Sequence, residues 1–280
     1  MQFRFRSLVQ FRLATLLIAI TLIGVWLGVW ANRANRQKRA VAAIEAAGAG
    51  MDFDYERDSQ GNRVDVDHSP APQFLRRWMG DDFFRRVVEV DYEIGFDDQG
   101  NFLGLTRIDD KGMACLEGLP DVECLLLGFQ PGITDAGLVH LRGLRSLQYL
   151  DLRQSSVTGT GCAQLASLKK LSNIQLEGSP LTPAGLVAIG RLQQLEVLDL
   201  SNTPVTDDSL PALLPLKNLK ILRLPKTRVT ARGVRQLQAL RGLSDLTLSW
   251  SFTPTEMDQL RQALPQCSLG QLQEFPEPVQ

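Results

Sequence analysis

A 24-residue period runs through the second half of the chain and constrains its fold more than any other feature. Successive copies begin at Leu147, Leu171, Leu195, Leu219 and Leu243. An earlier copy begins at Val122 and is one residue longer through residues 128–132, and a degenerate forerunner begins at Ile108. Repeats this short cannot bury an apolar face alone, so they stack on their neighbours as a solenoid. The period predicts six strands and about seven helical segments.

Two leucines in each L-x-x-L-x-L segment define the predicted strand. Leu150 and Leu152 alternate with Tyr149 and Asp151, which is the two-residue period of a strand with one buried face. The same alternation recurs in later copies at Leu198, Leu200, Leu222 and Leu224. We therefore expect the leucines to line a shared core and the side chains between them to face outward from a parallel sheet.

Threonine recurs after each strand, at the position typical of a helix N-cap, where a hydroxyl accepts hydrogen bonds from free backbone amides. The members of this column are Thr134, Thr158, Thr182, Thr206 and Thr230. Pro183 follows Thr182 at the first helical position, and Thr253 with Glu256 forms a capping box in the last copy. Each helix is therefore predicted to begin at its threonine.

Glycine and hydroxyl residues fill two further columns. Three residues after the caps stand Gly137, Gly161, Gly185 and Gly233, where we expect the helix start to lie close to the neighbouring repeat. Three residues after the strands stand Ser155, Ser179, Thr203, Thr227 and Ser251. We interpret these hydroxyls as hydrogen-bonding the turn backbone of adjacent coils, and not as nucleophiles.

Together these columns resemble the leucine-rich-repeat family, in the form L-x-x-L-x-L-x-x-[ST]-x-[VIL]-T-x-x-G-L-x-x-L-x-x-L. The variant is similar to the T-D-x-G-L repeats of bacterial leucine-rich-repeat proteins, and more distantly to the cysteine-containing repeats of F-box adaptors. The turn column departs from the usual pattern by using Ser or Thr where Asn is common, and no F-box precedes the repeats, so an adaptor role is not carried over. The resemblance covers residues 108–268. It implies an α/β solenoid with a parallel sheet on the concave face and helices on the convex face.

Residues 13–31 form an uncharged, apolar stretch behind a basic tail, residues 1–12. At about 1.5 Å per residue, such a helix reaches roughly 30 Å, the thickness of a bilayer's hydrocarbon core. Trp26 and Trp30 lie near one end, where indoles favour the membrane interface. We predict an uncleaved, single-pass transmembrane helix in contact with lipid, because the stretch exceeds the usual length of a signal-peptide core. A cleaved signal peptide is the alternative.

The flanking charges favour one membrane orientation only slightly, since three basic residues precede the span and four follow it closely. A short tail with three arginines resists translocation, whereas long domains cross largely regardless of charge. We therefore expect the tail inside and the repeats on the extracytoplasmic side. Gly24 and Gly28 form a G-x-x-x-G motif, which lets two helices approach and predicts a homodimer. The simpler interpretation, that glycine is common in membrane helices, is favoured.

The remaining regions are predicted from composition and alternation. A juxtamembrane helix is expected over residues 32–50, a small α+β cap over residues 51–107, and a C-terminal tail over residues 269–280. The cap would cover the open end of the repeat stack, which otherwise exposes apolar surface.

Within the cap, alternation of apolar and polar residues predicts two hairpins. The first would pair residues 51–56 with residues 63–67, and the second would pair residues 88–96 with residues 102–105. A helix with an apolar face is predicted between them, around residues 74–79.

Strand alternation also predicts which side chains stand on the concave sheet. The candidate partner-binding residues are Tyr149, Asp151, Arg153, Asn173, Gln175, Val197, Asp199, Ile221, Arg223 and Asp245. Their apolar members are expected to form an exposed centre with the charged members as its rim, which is the composition of a modest protein interface.

The composition argues against several functional classes. Thirty basic and thirty-one acidic residues give a net charge of −1, so a general basic surface for nucleic acid is not expected. The four cysteines lie far apart without a C-x-x-C pair, and there are only two histidines. Common nucleophile, metalloprotease and phosphate-binding motifs are missing from the sequence. We therefore predict no enzyme activity, no cofactor and no metal site.

One pair of carboxylates offers a catalytic alternative. Asp151 and Asp199 are expected two strands apart, at roughly 10 Å, and some inverting glycosidases use such a separation. An open sheet, however, lacks the pocket that raises the pKa of a general acid.

Two functions remain. The favoured one is a membrane-anchored interaction module that binds a protein partner through the concave sheet. The alternative is a structural or self-associating envelope protein without a dedicated partner.

Overall fold

Nine strands in the described part of the chain form one sheet, which runs from Gly50–Phe53 through Val87–Asp91 and the six repeat strands to Ser268–Leu272. The computed structural model describes residues 3–56, 71–80, 84–92, 95–96, 102–104, 107–249 and 251–272. Its α-helices are α1 (Phe3–Ala46), α2 (Gln73–Met79), α3 (Pro183–Ile189), α4 (Ala231–Gln236) and α5 (Pro254–Ala263). Its strands are β1 (Gly50–Phe53), β2 (Val87–Asp91), β3 (Gly95–Phe96), β4 (Phe102–Gly104), β5 (Cys124–Leu126), β6 (Tyr149–Asp151), β7 (Asn173–Gln175), β8 (Val197–Asp199), β9 (Ile221–Arg223), β10 (Asp245–Ser249) and β11 (Ser268–Leu272).

Strands β5 to β10 are the six strands that the period predicts. Each pairs with the next in parallel, and the pairing keeps equivalent repeat positions opposite one another. Leu150, Ile174 and Leu198 therefore form one buried row, in which every side chain is 0% exposed. Because burying a leucine side chain is worth about 1.5–3 kcal/mol, the stacked rows supply most of the favourable energy of the fold.

The convex side consists of short helices, most of them 3₁₀. The 3₁₀ segments in the repeats are Gly112–Gly118, Gly137–Gly143, Thr160–Ser167, Asp207–Leu213 and Leu237–Ala239. The repeat spaces its helical leucines three residues apart, and a 3₁₀ helix brings such residues onto one face. Leu138, Leu141 and Leu144 are accordingly all buried.

Aspartates of one repeat hold the threonines of the next, an interaction that the sequence did not predict. Asp135 accepts hydrogen bonds from the Thr158 amide at 3.1 Å and from the Gly161 amide at 2.7 Å. It also accepts a bond from the Thr158 hydroxyl. Equivalent amide and hydroxyl contacts join Asp110 to Thr134, and Asp207 to Thr230.

The predicted N-caps are confirmed in part. The Thr182 hydroxyl accepts from the Gly185 amide at 3.1 Å, and the last helix has the predicted capping box of Thr253 and Glu256. Thr158 does not cap its helix, which begins at Thr160 after Gly159. Asp135 of the preceding repeat instead accepts from the Gly161 amide, which is the kind of bond that a capping hydroxyl would accept.

The glycine column lies where the sequence predicted a close approach between repeats. A Cβ atom on Gly185 would lie 2.0 Å from the Thr158 carbonyl oxygen, and one on Gly161 would lie 2.5 Å from the Asp135 carbonyl oxygen. No side chain fits at these separations, so glycine is required.

The hydroxyl column follows the prediction only in its first members. The Ser179 hydroxyl donates to the Leu152 carbonyl of the preceding repeat at 3.1 Å and contacts the Ser155 hydroxyl at 3.3 Å. Thr227 instead donates to the Leu224 carbonyl of its own turn, at 2.7 Å. All three contacts are structural.

Helix α1 joins the apolar stretch and the predicted juxtamembrane helix in 44 continuous residues. Its first part is long and apolar enough to cross a membrane, and the most apolar window has no buried residue. A secretory signal sequence meets the same criteria.

The last turns of α1 pack against the first repeat, where Ala40, Val41 and Ile44 are at most 4% exposed. Gly118 permits this contact, because a Cβ atom there would lie 2.9 Å from the Arg36 carbonyl oxygen. The Gln37 amide also donates to the Arg85 carbonyl at 2.8 Å. The cap predicted for residues 51–107 therefore begins within α1.

The strands of the cap extend the repeat sheet. β2 pairs in parallel with β5, and β1 pairs antiparallel with β2. β1 pairs with β2, and residues 63–67, which the sequence pairs with residues 51–56, lie outside the described part of the chain. β3 and β4 pair antiparallel, as the second predicted hairpin requires. The predicted helix is α2, but its Phe74 is 71% exposed.

The sheet ends later than predicted. Residues assigned to a C-terminal tail from 269 onward include most of β11, which pairs in parallel with β10 over five residues. This strand covers the outer edge of the last repeat and so closes the far end of the stack.

We expect Leu198→Asp to unfold the repeats, because it places an unpaired charge inside the leucine row. The expected loss is on the order of 4 kcal/mol or more, measured by thermal denaturation followed by circular dichroism. Val197→Asp is the matched control, since Val197 is a partly exposed neighbour on the outer face of the same strand. Normal unfolding of Leu198→Asp would show that the strand register is wrong.

Asp135 predicts a pH-dependent part of the stability. Burial pushes the pKa of its carboxyl upward, but the hydrogen bonds from Thr158 and Gly161 outweigh burial and hold that pKa below its usual value. A carboxylate with a lowered folded pKa stabilises the fold above the unfolded pKa, about 3.9, and this contribution is lost as the pH falls through the folded pKa.

Asp135→Asn should therefore lower the free energy of unfolding by about 1 kcal/mol at pH 7, after allowance for solvent screening. The difference from the wild-type protein should shrink at about pH 3. Urea denaturation at both pH values measures this, with the exposed Asp208→Asn as control. Equal losses in the two variants would contradict the role of Asp135.

Candidate functional site

The concave sheet presents the side chains that strand alternation predicts. Register places Tyr149 opposite Asn173, Asn173 opposite Val197, and Val197 opposite Ile221. All four, together with Asp245, are partly exposed. Five of the ten predicted residues thus form one continuous row across the middle of the sheet. The row is less exposed than the sequence prediction assumed, because neighbouring strands cover part of each side chain.

The next row differs from the prediction, since Asp151 and Asp199 are only 0% and 6% exposed. The Asp151 carboxylate accepts hydrogen bonds from the Arg153 amide at 2.8 Å and from the Arg153 Nε at 2.7 Å. A second guanidinium nitrogen lies 2.6 Å away. Asp151 therefore serves to hold Arg153 flat on the sheet, and is not itself available to a partner.

Asp199 is held in the same way. Its carboxylate accepts from the Ser201 amide at 2.8 Å, and the Arg223 guanidinium lies 3.5 Å away. Arg223 is exposed and is the charged group that this pair presents to solvent. Gln175 is 6% exposed, and its amide donates to the Asn173 side chain at 2.6 Å. The charged rim that the sequence predicted is thus a set of ordered side chains whose carboxylates are largely covered.

Phe129 belongs to this face and was missed by sequence reasoning. Its ring is 41% exposed, and the Arg153 guanidinium carbon lies 5.7 Å from the ring centroid. Its φ of 60° is left-handed, which costs a bulky residue roughly 1–2 kcal/mol. The corresponding turns of later repeats carry Gln154, Gly178, Asn202 and Lys226, all with positive φ. The left-handed turn is therefore common to the repeats, and its constant place after each strand was the signal that could have located Phe129.

In the part of the concave sheet that the structure describes, nucleophilic and metal-binding groups are not clustered. The four cysteines are free, and burial raises the pKa of the Cys162 thiol to about 12. His140 contacts Glu117 at 2.7 Å on the convex side. Among the described residues, no cluster of three His, Cys, Asp or Glu side chains could hold a metal ion. The covered Asp151 and Asp199 carboxylates are bonded to groups of their own turn or of the next repeat, which does not suit the acid–base pair that the sequence offers.

A cavity of about 500 Å³ lies between the end of α1 and the first repeat. Tyr92 and Cys115 line it, with the phenol oxygen 3.8 Å from the sulfur. Burial raises the pKa of both groups. Both groups are therefore neutral at physiological pH, so this pair does not provide a thiolate or phenolate nucleophile in the cavity.

Comparisons with known proteins accompany this geometry. No protein-family model matches the chain, and no curated protein sequence matches it. The chain is similar to the solved structure of internalin C2 from Listeria monocytogenes, at 19% identity over 84% of this chain and 92% of that chain, with a TM-score of 0.47. It is also similar to a leucine-rich-repeat protein of Leptospira interrogans, at 22% identity over 56% of this chain and 44% of that chain, with a TM-score of 0.39. The 24-residue repeat, the parallel concave sheet and the convex helices show that the chain folds as a leucine-rich-repeat solenoid.

Proposed function

We propose that this protein is a membrane-anchored interaction module whose concave sheet binds a protein partner. The observation that carries the proposal is the row of partly exposed side chains that crosses consecutive repeats in register. At about 4.8 Å per strand, the five strands that carry it give a row of roughly 19 Å. Solenoids generally bind partners on such extended concave surfaces.

The order of the concave side chains supports this use. Asp151 fixes Arg153, and Asp199 lies against Arg223, so both guanidinium groups are restrained before a partner arrives. Side chains that are already ordered lose less conformational entropy on binding. Tyr149, Val197 and Ile221 supply apolar area between the two arginines, and Phe129 extends it toward the cap. The surface therefore suits a partner with an apolar patch and flanking acidic groups.

Anchoring through residues 13–31 is supported by the exposed apolar surface of α1. Leu22 and Val25 are 65% and 66% exposed, and a run of such side chains is unfavourable in water. We place the basic tail inside and the repeats on the extracytoplasmic side, for the reasons of charge and length given above.

The anchor predicts that the full chain sediments with membranes and resists extraction at alkaline pH. Extraction with carbonate followed by immunoblotting measures this. Residues after 31 continue α1 into the cap, so cleavage near Asn32 would leave Ala40, Val41 and Ile44 in place on the first repeat. A soluble, folded product that begins near Asn32 would therefore establish a cleaved signal peptide instead.

The concave sheet predicts that Val197→Asp combined with Ile221→Asp abolishes partner capture. Apolar residues near an interface centre often contribute on the order of 2 kcal/mol or more each, while partly exposed positions cost the fold little. Capture by the tagged, detergent-solubilised full chain, quantified by mass spectrometry, measures the loss. Thermal unfolding of the same sample verifies the fold.

Val187→Asp is the matched control, because Val187 is 48% exposed on the convex helix α3. A partner lost with the control and retained by the concave variant would identify the convex side as the binding surface. Capture of nothing but a second, differently tagged copy would favour the self-associating alternative, with Gly24 and Gly28 as the contact to test. A Cβ atom at either glycine would meet nothing within 4 Å.

A further inference from the structure

The direction in which α1 packs on the first repeat determines which edge of the solenoid lies nearest the proposed membrane span. Arg33 forms an ion pair with Asp121, which follows the C-terminal end of the 3₁₀ helix Gly112–Gly118. Ala47, fourteen residues after Arg33 and directly after the end of α1, lines the same cavity as Gly112 at the N-terminal end of that helix. The end of α1 therefore runs antiparallel to the first convex helix, and its membrane side emerges at the edge where convex helices lead into strands.

That edge of the first repeat lies close to the proposed bilayer surface. The apolar stretch ends at residue 31, and Arg33 is only two residues further, a rise of about 3 Å along the helix axis. The Arg33–Asp121 pair consequently holds the loop after the first convex helix beside the end of the span. No proline interrupts α1 between the two.

Later repeats place their equivalent loops on the same edge. All repeat strands are parallel and in register, so each helix-to-strand loop lies beside that of the preceding repeat. The row of loops crosses the axis of α1 and therefore runs along the membrane plane. The strands run roughly parallel to the axis of α1. The concave face is therefore directed parallel to the membrane plane and does not contact lipid.

This edge has a strong excess of positive charge. We define the basic edge as the helix-to-strand loops of five repeats: 142–148, 166–172, 190–196, 214–220 and 238–244. They contain eight basic residues, Arg142, Arg145, Lys169, Lys170, Arg191, Lys217, Lys220 and Arg241, and one acidic residue, Glu196.

The opposite edge of the same repeats has no such excess. Its strand-to-helix segments, 127–136, 152–160, 176–184, 200–208 and 224–232, contain four acidic and four basic residues. The incomplete first repeat has its own helix-to-strand loop, residues 119–123, on the same side as the basic edge, and this loop has two acidic side chains. One of them, Asp121, is paired with Arg33. The difference in charge between the two edges is therefore confined to the five complete repeats.

The positive charge of the basic edge is not neutralised within the protein. All eight basic residues are exposed. Lys220 pairs with Glu196 at 2.7 Å, whereas Arg142 contacts a neutral glutamine and Lys169 donates to a backbone carbonyl. Across the described part of the chain, the other five form no ion pair. Exposed cations in a row attract an anionic surface within about a Debye length, about 10 Å in 0.1 M salt.

We propose that the basic edge lies on the anionic headgroups of the membrane and holds the solenoid lengthwise along the bilayer. The proposal rests on the anchoring of α1 under the proposed function. Each lysine or arginine near an anionic surface favours the docked state by about fivefold. Loss of three lysines should therefore lower the ratio of docked to undocked molecules by about a hundredfold.

Lysine acylation tests the proposal with an internal control. The full chain is incorporated into nanodiscs of phosphatidylcholine, with or without phosphatidylglycerol, and labelled with an amine-reactive acetylating reagent. Mass spectrometry then compares the labelling of Lys169, Lys170 and Lys217 on the basic edge with that of Lys226 on the opposite edge. Lys111, at the N-terminal end of the first convex helix, is a second control. We expect labelling of the basic edge to slow severalfold only with phosphatidylglycerol and to recover at high salt, with the opposite edge unchanged.

Charge-neutral variants sharpen the comparison. The triple variant Lys169→Gln, Lys170→Gln, Lys217→Gln should restore the labelling of Lys220 in anionic nanodiscs. The matched variant Lys226→Gln, Arg228→Gln, Arg232→Gln should leave it slow; all six side chains are exposed, so the fold is unaffected. Labelling that is independent of anionic lipid at both edges would overturn the proposal while leaving the anchor intact. A chain that remains soluble without nanodiscs fails at the anchor, a distinct result that overturns both.

Discussion

Burial of leucine rows between neighbouring repeats is the interaction on which the whole structure depends. Each repeat is one strand and one short helix thick, so Leu150 or Leu198 is shielded from water only because the next repeat covers it. An array of this kind has two open ends, and both must be closed. At the far end α5 and β11 do so. At the near end the closure comes from β2 and from the last turns of α1, the same helix whose first part is apolar enough to enter a membrane. The proposed anchor and one part of the cap therefore belong to the same helix.

The repeat region was predictable because its determinants are periodic. Leucine spacing determines which face of each strand is buried, and a constant 24-residue period places equivalent positions opposite one another without any knowledge of the turns. The elements that close the two ends of the stack were not predictable in the same way, because each of them occurs only once in the sequence and follows no repeat. Nothing in residues 51–56 indicates that their partner is β2, and β11 lacks the leucine pattern of the other strands. The Asp135–Thr158 contact was missed for a different reason: a threonine before a helix is normally a cap, and only the three-dimensional neighbour reveals a better acceptor.

For the candidate site, sequence reasoning identified the positions and misjudged their exposure. Strand alternation correctly placed Asp151 and Asp199 on the concave side, but each carboxylate is covered by groups of its own or the next turn. Phe129 lay outside the alternating strand and was therefore not considered. Net charge was equally uninformative, because an average of −1 conceals lysines and arginines that come together only when the repeats stack on one edge. Burial and charge distribution both depend on neighbours that are 24 residues away in the chain.

The continuity of α1 has a consequence for how the solenoid is aimed. A flexible linker would let the repeats rotate freely above a span, and a change in its length would matter little. A continuous helix instead fixes the rotation of the repeats about the helix axis. Each residue added or removed turns everything beyond it by about 100° and shifts it by about 1.5 Å. In the proposed anchored state, the number of residues between residue 31 and the buried Gln37 would therefore determine which way the concave sheet faces around the membrane normal.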